Sequence, residues 1–298
     1  SVPVAATYAA AVNASPRSAP AARHLVVVTL DSCRFDSWTA AAPPNLTRLG
    51  PVERRYSYAS WTAPSHYNLL SGLVPHANPR RVYASEHYKR DFARYAERLG
   101  IDAVSFRDLL PGIWLPSFLR EKLGYRTQAM VSLPVLNPAT GINRGFDGFE
   151  LMPRHNDMAA MLERMRFDDD RPTFHLLNVG ETHYPYALPH EPPSEWPKLH
   201  GVHGVFKHIG DPLDAGEPAF FEQADLDRLR ERQVEAVRYL DGVFARLFDL
   251  VPPSTWIVVT ADHGELFGEE GFFGHGPVMH EKVFEVPFVE GPVPQVAG

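Results

Sequence analysis

Three short apolar runs end in side chains that can bind a metal ion. His24–Leu30 (HLVVVTL) leads into Asp31, Thr173–Val179 (TFHLLNV) leads into Gly180-Glu181-Thr182-His183, and residues 256–261 (WIVVTA) lead into Asp262-His263. Carboxylates with imidazole suit a divalent ion such as Mn²⁺ or Zn²⁺. Between the first two runs lies Ser60-Trp61-Thr62-Ala63-Pro64-Ser65-His66. Pro64 suits the first turn of a helix, which puts Thr62 just before a helix N-terminus. Asp31, Thr62, Asp262 and His263 could form a four-ligand set. A hydroxyl on a divalent ion loses its proton more readily, which would make Thr62 a nucleophile. Free N–H groups at the helix start would face an incoming anion. His183 and His275 are candidates for donating to phosphoryl oxygens or protonating a leaving group.

These side chains need a scaffold that brings distant segments together. Continuous β-branched runs read as buried parallel strands, and open α/β sheets place their sites beyond the carboxyl ends of such strands. Further strands are expected at 126–133 and 286–289. Helices are expected at 44–49, 88–99, 114–123, 155–166 and 222–249, and loop at 137–153. Strands alternating with helices predict an α/β fold with a central, mostly parallel sheet flanked by helices. Residues 1–22, rich in Ala, Pro and Ser, read as a flexible lead-in, and 23–298 as one catalytic domain. Residues 187–221 have little periodicity and read as a disordered segment or as a functional loop or lid, which would set substrate choice.

The chain has 298 residues and a formal net charge of -7, which excludes a polyanion-binding surface of the nucleic-acid type. No window of about 18 apolar residues exists to form a membrane-spanning helix. Cys33 is the one cysteine, so no disulfide can form within the chain. With no segment resembling a signal peptide, a cytoplasmic location is expected. Met158, Met161 and Met165 repeat at helical spacing and read as core. Cys33 reads as a small buried residue, and Asp168-Asp169-Asp170 as a solvated turn. His66, His76, His190, His200, His203, His208 and His280 read as surface or loop histidines.

Four segments, in order, resemble the alkaline phosphatase/sulfatase superfamily. LVVVTLDSCRFD is similar to its first strand and Asp-Ser-x-Arg-x-Asp continuation, and SWTAPSHYNLLSG to its nucleophile segment. THYPY resembles its His-x-Pro-Tyr substrate segment, and TADHGELFGE with GHG and EVPF its C-terminal metal segment. The resemblance implies metal ligation by Asp31, Asp262 and His263, and a nucleophile at Thr62 that also touches the metal. It implies substrate contact by His183 and His275, while Arg34 matches a position without an assigned role.

Three departures shape the expectation. Sulfatases carry Cys or Ser in Cys-x-Pro-Ser-Arg and convert it to formylglycine, which Thr62 cannot become. Thr there resembles the superfamily's phosphodiesterases, phosphatases and phosphoglycerol or phosphoethanolamine transferases. Two-zinc members add an Asp-x-x-x-His, but Val179 stands four residues before His183. One ion is therefore expected (Mn²⁺ or Zn²⁺, with Ca²⁺ or Mg²⁺ as alternatives), though His275 could ligate a second. Finally, the chain stops soon after EVPF, where many relatives continue into a smaller C-terminal subdomain. The reading is metal-dependent hydrolysis of a small phosphate mono- or diester through a phospho-Thr62. Its rivals are phosphotransfer, sulfate ester hydrolysis, and a non-catalytic metal-binding relative.

Overall fold

The computed structural model describes residues 23–78, 81–104, 114–199, 221–276 and 278–294. Its centre is a seven-stranded sheet in the order β2-β9-β6-β1-β5-β3-β4. The strands are β1 (His24–Leu30), β2 (Glu53–Tyr56), β3 (Arg126–Val131), β4 (Gly148–Leu151), β5 (Thr173–Val179), β6 (Thr255–Ala261) and β9 (Glu285–Pro292). From β6 across to β4 every pairing is parallel, whereas β9 runs antiparallel to both β6 and β2. A small hairpin, β7 (Leu266–Phe267) and β8 (Phe273–Gly274), stands apart.

Alternation along the strands explains why both faces are covered. Val26, Val28 and Leu30 of β1 join Ile257 and Val259 of β6 and Leu177 and Val179 of β5 on one face. There they pack against α1 (Phe35–Ala41), α5 (Met158–Arg164) and α6 (Gln223–Leu250), with Val237, Leu240, Phe244 and Leu247 of α6 at the centre. Leu25 and Val27, with Phe174, Leu176 and Val258, face the other side. Those side chains meet α2 (Thr62–Leu70), α3 (Ala84–Leu99) and α4 (Leu115–Leu123) through Leu69, Leu70, Phe92, Leu99 and Leu119. The mostly parallel sheet between two helical layers is the expected architecture. Met158, Met161, Met165 and Cys33 lie in the core as expected.

Several elements differ from the sequence reading. Segment 44–49 forms only a 3₁₀ turn at Leu46–Arg48. The expected loop at 137–153 holds a 3₁₀ turn (Pro138–Thr140) and the edge strand β4, while β2 and α1 were not anticipated. β2 reads Glu-Arg-Arg-Tyr because charged residues blunt an open sheet edge, so no apolar run marks it. Segment 155–166 narrows to α5, because the Asp157 side chain accepts from the Ala160 N–H and caps the helix there. The expected lead-in 1–22 and most of the expected lid, 200–220, lie outside the described residues. No helix among the described residues is long and apolar enough to cross a membrane.

Candidate active site

β5, β1 and β6 are neighbours, with Leu30 opposite both Val179 and Ala261. The residues that follow therefore leave the sheet side by side. Asp31 donates its N–H to the Val179 carbonyl at 2.9 Å, and Thr182 Oγ1 donates to the Asp31 carbonyl at 2.8 Å. Ser32 turns the chain at φ 62°, and its N–H reaches Asp262 Oδ1 at 3.1 Å. Gln233 of α6 fastens two of these exits. Its Nε2 donates to the Ser32 and Thr182 carbonyls at 2.9 and 3.0 Å. Gly264 permits the sharp exit after β6: a Cβ there would meet the Lys282 carbonyl oxygen at 2.1 Å.

Thr62 is the first residue of α2, one position further in than expected, and Trp61 takes the cap position in extended backbone. Its Oγ1 lies 3.5 Å from Asp31 Oδ1 and 3.3 Å from His263 Nε2. His263 Nε2 is 3.8 Å from Asp31 Oδ1 and 3.4 Å from Asp262 Oδ2. The four residues expected as a ligand set are thus gathered in one place, all buried.

The electrostatics of the cluster call for a cation. Burial pushes Asp262 well above the usual carboxylate range, and the Asp31 charge beside it adds to this. Burial would raise Asp31 too, but the nearby His183, with Asn178 Nδ2 donating at 2.9 Å, holds it below that range. Burial and the neighbouring His275 push His263 well below an ordinary histidine. Its Nδ1 is 2.8 Å from the Gly264 carbonyl, which assigns the proton there and leaves the Nε2 lone pair facing the cluster. Ligand atoms of Asp31, Asp262 and His263 all lie within 4.8 Å of one another, and buried Asp262 Oδ2 has no hydrogen-bond partner. Two buried carboxylates cannot both ionise cheaply without opposing charge. The donor set fits a divalent ion, and a neutral imidazole among the oxygens suits Zn²⁺ or Mn²⁺.

His183 and His275 flank the cluster. Their rings are 5.5 Å apart between centroids, and the His275 ring is 4.1 Å from that of His263. His183 Nδ1 donates to the Tyr184 carbonyl at 2.8 Å. His275 Nδ1 donates to Glu265 Oε1 at 2.8 Å, and Tyr186 donates its hydroxyl to Glu265 Oε2 at 2.6 Å. Each ring is thereby oriented with Nε2 free. Arg34 is 2% exposed and fully engaged: it binds Asp36, Glu269 and the Glu265 carbonyl. Its role is to hold the Glu265 loop.

His66 corrects the sequence reading. Expected as a surface or loop histidine, it is fully buried one turn after Thr62, with Nδ1 3.7 Å from Asp262 Oδ2. The signal was present in the spacing, since residues four apart share a helix face. Asn178, Gln233, Glu265 and Tyr186 were also missed. They act through other side chains; Asn178 and Gln233 belong to none of the four segments, whereas Glu265 and Tyr186 lie inside TADHGELFGE and THYPY.

Comparison with known proteins accords with this geometry. The family model described as Sulfatase matches residues 23–289. No curated protein sequence matches. Among solved structures, the C-terminal periplasmic domain of EptC from Escherichia coli is similar, at 15% identity over 92% of this chain and 73% of that one, with a TM-score of 0.56. Its complex with Zn matches at 16% identity, with the same coverage and a TM-score of 0.53. The phosphonate monoester hydrolase of Agrobacterium radiobacter matches at 15% identity over 90% of this chain and 68% of that one, with a TM-score of 0.54. The C-terminal periplasmic domain of the phosphoethanolamine transferase EptC from Campylobacter jejuni matches at 14% identity over 91% and 79%, with a TM-score of 0.50. At such identities the likeness is one of fold.

The expected cytoplasmic location is contradicted by these neighbours, several of which are periplasmic domains. The expectation rested on absences. A lone buried cysteine makes no internal disulfide in any compartment, so Cys33 carries no information on location. The family match over nearly all the described residues, with the fold and the ordered segments, places this chain in the sulfatase family of the alkaline phosphatase/sulfatase superfamily.

Proposed function

We propose that this site cleaves a small phosphate ester by moving its phosphoryl group onto Thr62, and from there to water or a second alcohol. The observation that carries the reading is the position of Thr62 Oγ1, within 3.5 Å of both Asp31 and His263 at the start of a helix. Asp31, Asp262, His263 and Thr62 would hold one divalent ion, Zn²⁺ or Mn²⁺. When bound, it supplies positive charge that favours the Thr62 alkoxide and draws the phosphoryl oxygens. The first N–H groups of α2 have no intrahelical partner and are suited to the same anion.

Thr62 Oγ1 then forms a bond to phosphorus as the ester oxygen leaves on the opposite side. His275 protonates that oxygen, and buried Glu265 stabilises the imidazolium needed for it. His183, as an imidazolium whose Nδ1 stays bound to the Tyr184 carbonyl, donates its Nε2 N–H to a phosphoryl oxygen. In the second half His275 takes a proton from the incoming water or alcohol, which attacks phosphorus and frees Thr62. Thr62 cannot become the formylglycine of sulfate ester hydrolysis, which favours phosphoryl over sulfuryl transfer. We further propose that the domain works outside the cytoplasm, a reading supported by its periplasmic structural neighbours.

Thr62→Ala should abolish turnover of aryl phosphate mono- and diesters while Thr62→Ser retains a measurable part. Undiminished turnover by Thr62→Ala would contradict the covalent route. A matching panel of aryl sulfates tests the choice of ester. Product analysis with added acceptor alcohols separates hydrolysis from transfer.

A further inference from the structure

His66 is buried and touches both the nucleophile segment and the ligand cluster from behind. Its Nε2 lies 3.0 Å from Thr29 Oγ1 on β1, and its Nδ1 lies 2.8 Å from the Thr62 carbonyl. The same Nδ1 is 3.7 Å from Asp262 Oδ2, the carboxylate oxygen without a hydrogen-bond partner. With the proton on Nδ1, Nε2 accepts from Thr29 Oγ1, whose one hydroxyl proton it shares with the Leu177 carbonyl on β5 at 3.2 Å. The ring has little room to turn: the void it shares with Thr29, Ser57, Ser65 and Asp262 is about 10 Å³.

We infer that His66 is a positioning residue, whose buried imidazole ties the Thr62 carbonyl to β1 and places an N–H dipole behind the Asp262 carboxylate. The inference rests on the ligand roles proposed above for Thr62 and Asp262. The start of α2 could otherwise tilt against the sheet, because a helix end has few backbone bonds of its own to hold it. A tilt moves Thr62 Oγ1 relative to Asp31, Asp262 and His263. His66 does not itself contact substrate; it sets the distance between the hydroxyl and the carboxylates, as outer partners do at metal sites.

The test measures Zn²⁺ affinity by chelator competition, and melting temperature, in four proteins: wild type, Asp262→Asn, His66→Phe and His66→Asn. Phe fills the volume of the ring without a donor, while the Asn amide places an N–H close to the position of Nδ1. Asp262→Asn should lose Zn²⁺ binding. His66→Phe should bind Zn²⁺ about 10- to 100-fold more weakly at a melting temperature close to wild type, and His66→Asn should recover most of that loss. Wild-type affinity in His66→Phe would overturn the inference. So would equal losses in both His66 variants that follow their melting temperatures, which would make His66 a core residue only. Equal affinity in wild type and Asp262→Asn would instead remove the ligand reading on which the inference stands.

Discussion

At the scale of single residues, the chemistry rests on side chains held by other side chains. Tyr186, Glu265 and His275 form a buried chain of hydrogen bonds at 2.6 and 2.8 Å. Tyr186→Phe removes one donor from Glu265 and should lower kcat about tenfold. If His275 protonates the leaving group, that loss should be larger for esters of poorly acidic alcohols than for aryl esters. Steady-state kinetics over a series of leaving groups checks it, and an equal loss across the series would argue against the assignment. Asp31 and the Asp262-His263 pair were legible in the sequence because they follow runs that read as buried strands. Glu265 lay inside a quoted motif but showed nothing of its partner. Tyr186 sits in a similar position, since a hydrogen bond between segments 79 residues apart leaves no local trace. His66 was misread because a histidine's burial depends on what packs over it.

At the scale of elements, β1, β5 and β6 were legible because both of their faces are buried and their sequences are mostly apolar. β2 and β4 were not, because they are edge strands with partly exposed faces, where charge is an advantage. The longest helix, α6, was found within a residue at each end, since its buried Leu and Val residues recur at helical spacing. Leu240 of α6 is fully buried against the sheet, and Leu240→Ala should cost about 2–5 kcal/mol in denaturant unfolding. The start of α5 carries a pH-dependent contact: Met158 donates its N–H to Glu181 Oε1 at 2.8 Å, and burial raises the Glu181 carboxyl to about 7. The folded carboxyl holds its proton more tightly than the unfolded one, whose pKa is about 4.5. This contribution to stability is therefore full below pH 4.5 and is lost as the pH rises through 7, by up to about 3 kcal/mol. Glu181→Gln should remove that slope from urea titrations made at successive pH values; an unchanged slope would show that Glu181 is not its source.

At the scale of the whole molecule, histidines give the opposite trend. Burial lowers His24, His76, His155 and His175, the last two to about 4. Each binds a proton more weakly folded than unfolded. The stability they contribute is full above pH 6.5 and is lost as the pH falls through 4. The lowered histidines, His66 and His263 among them, outnumber the raised carboxyls Glu181 and Asp262, so the fold should lose stability on acidification below neutral pH. The His175→Phe variant should lose less, as followed by melting temperature between pH 4 and 7. The sheet that brings β5, β1 and β6 together is also what makes the site, since Asp31, His183 and Asp262 lie in three distant parts of the chain. The central claim is that this assembly passes a phosphoryl group through Thr62. The most direct measurement is acid quenching during turnover of an aryl phosphate ester, followed by mass spectrometry of the peptide containing Thr62. The account predicts a phosphate on Thr62 in the wild type and none in Thr62→Ala. Turnover by Thr62→Ala at the wild-type rate, with no phosphate on Thr62 of the wild type, would contradict it.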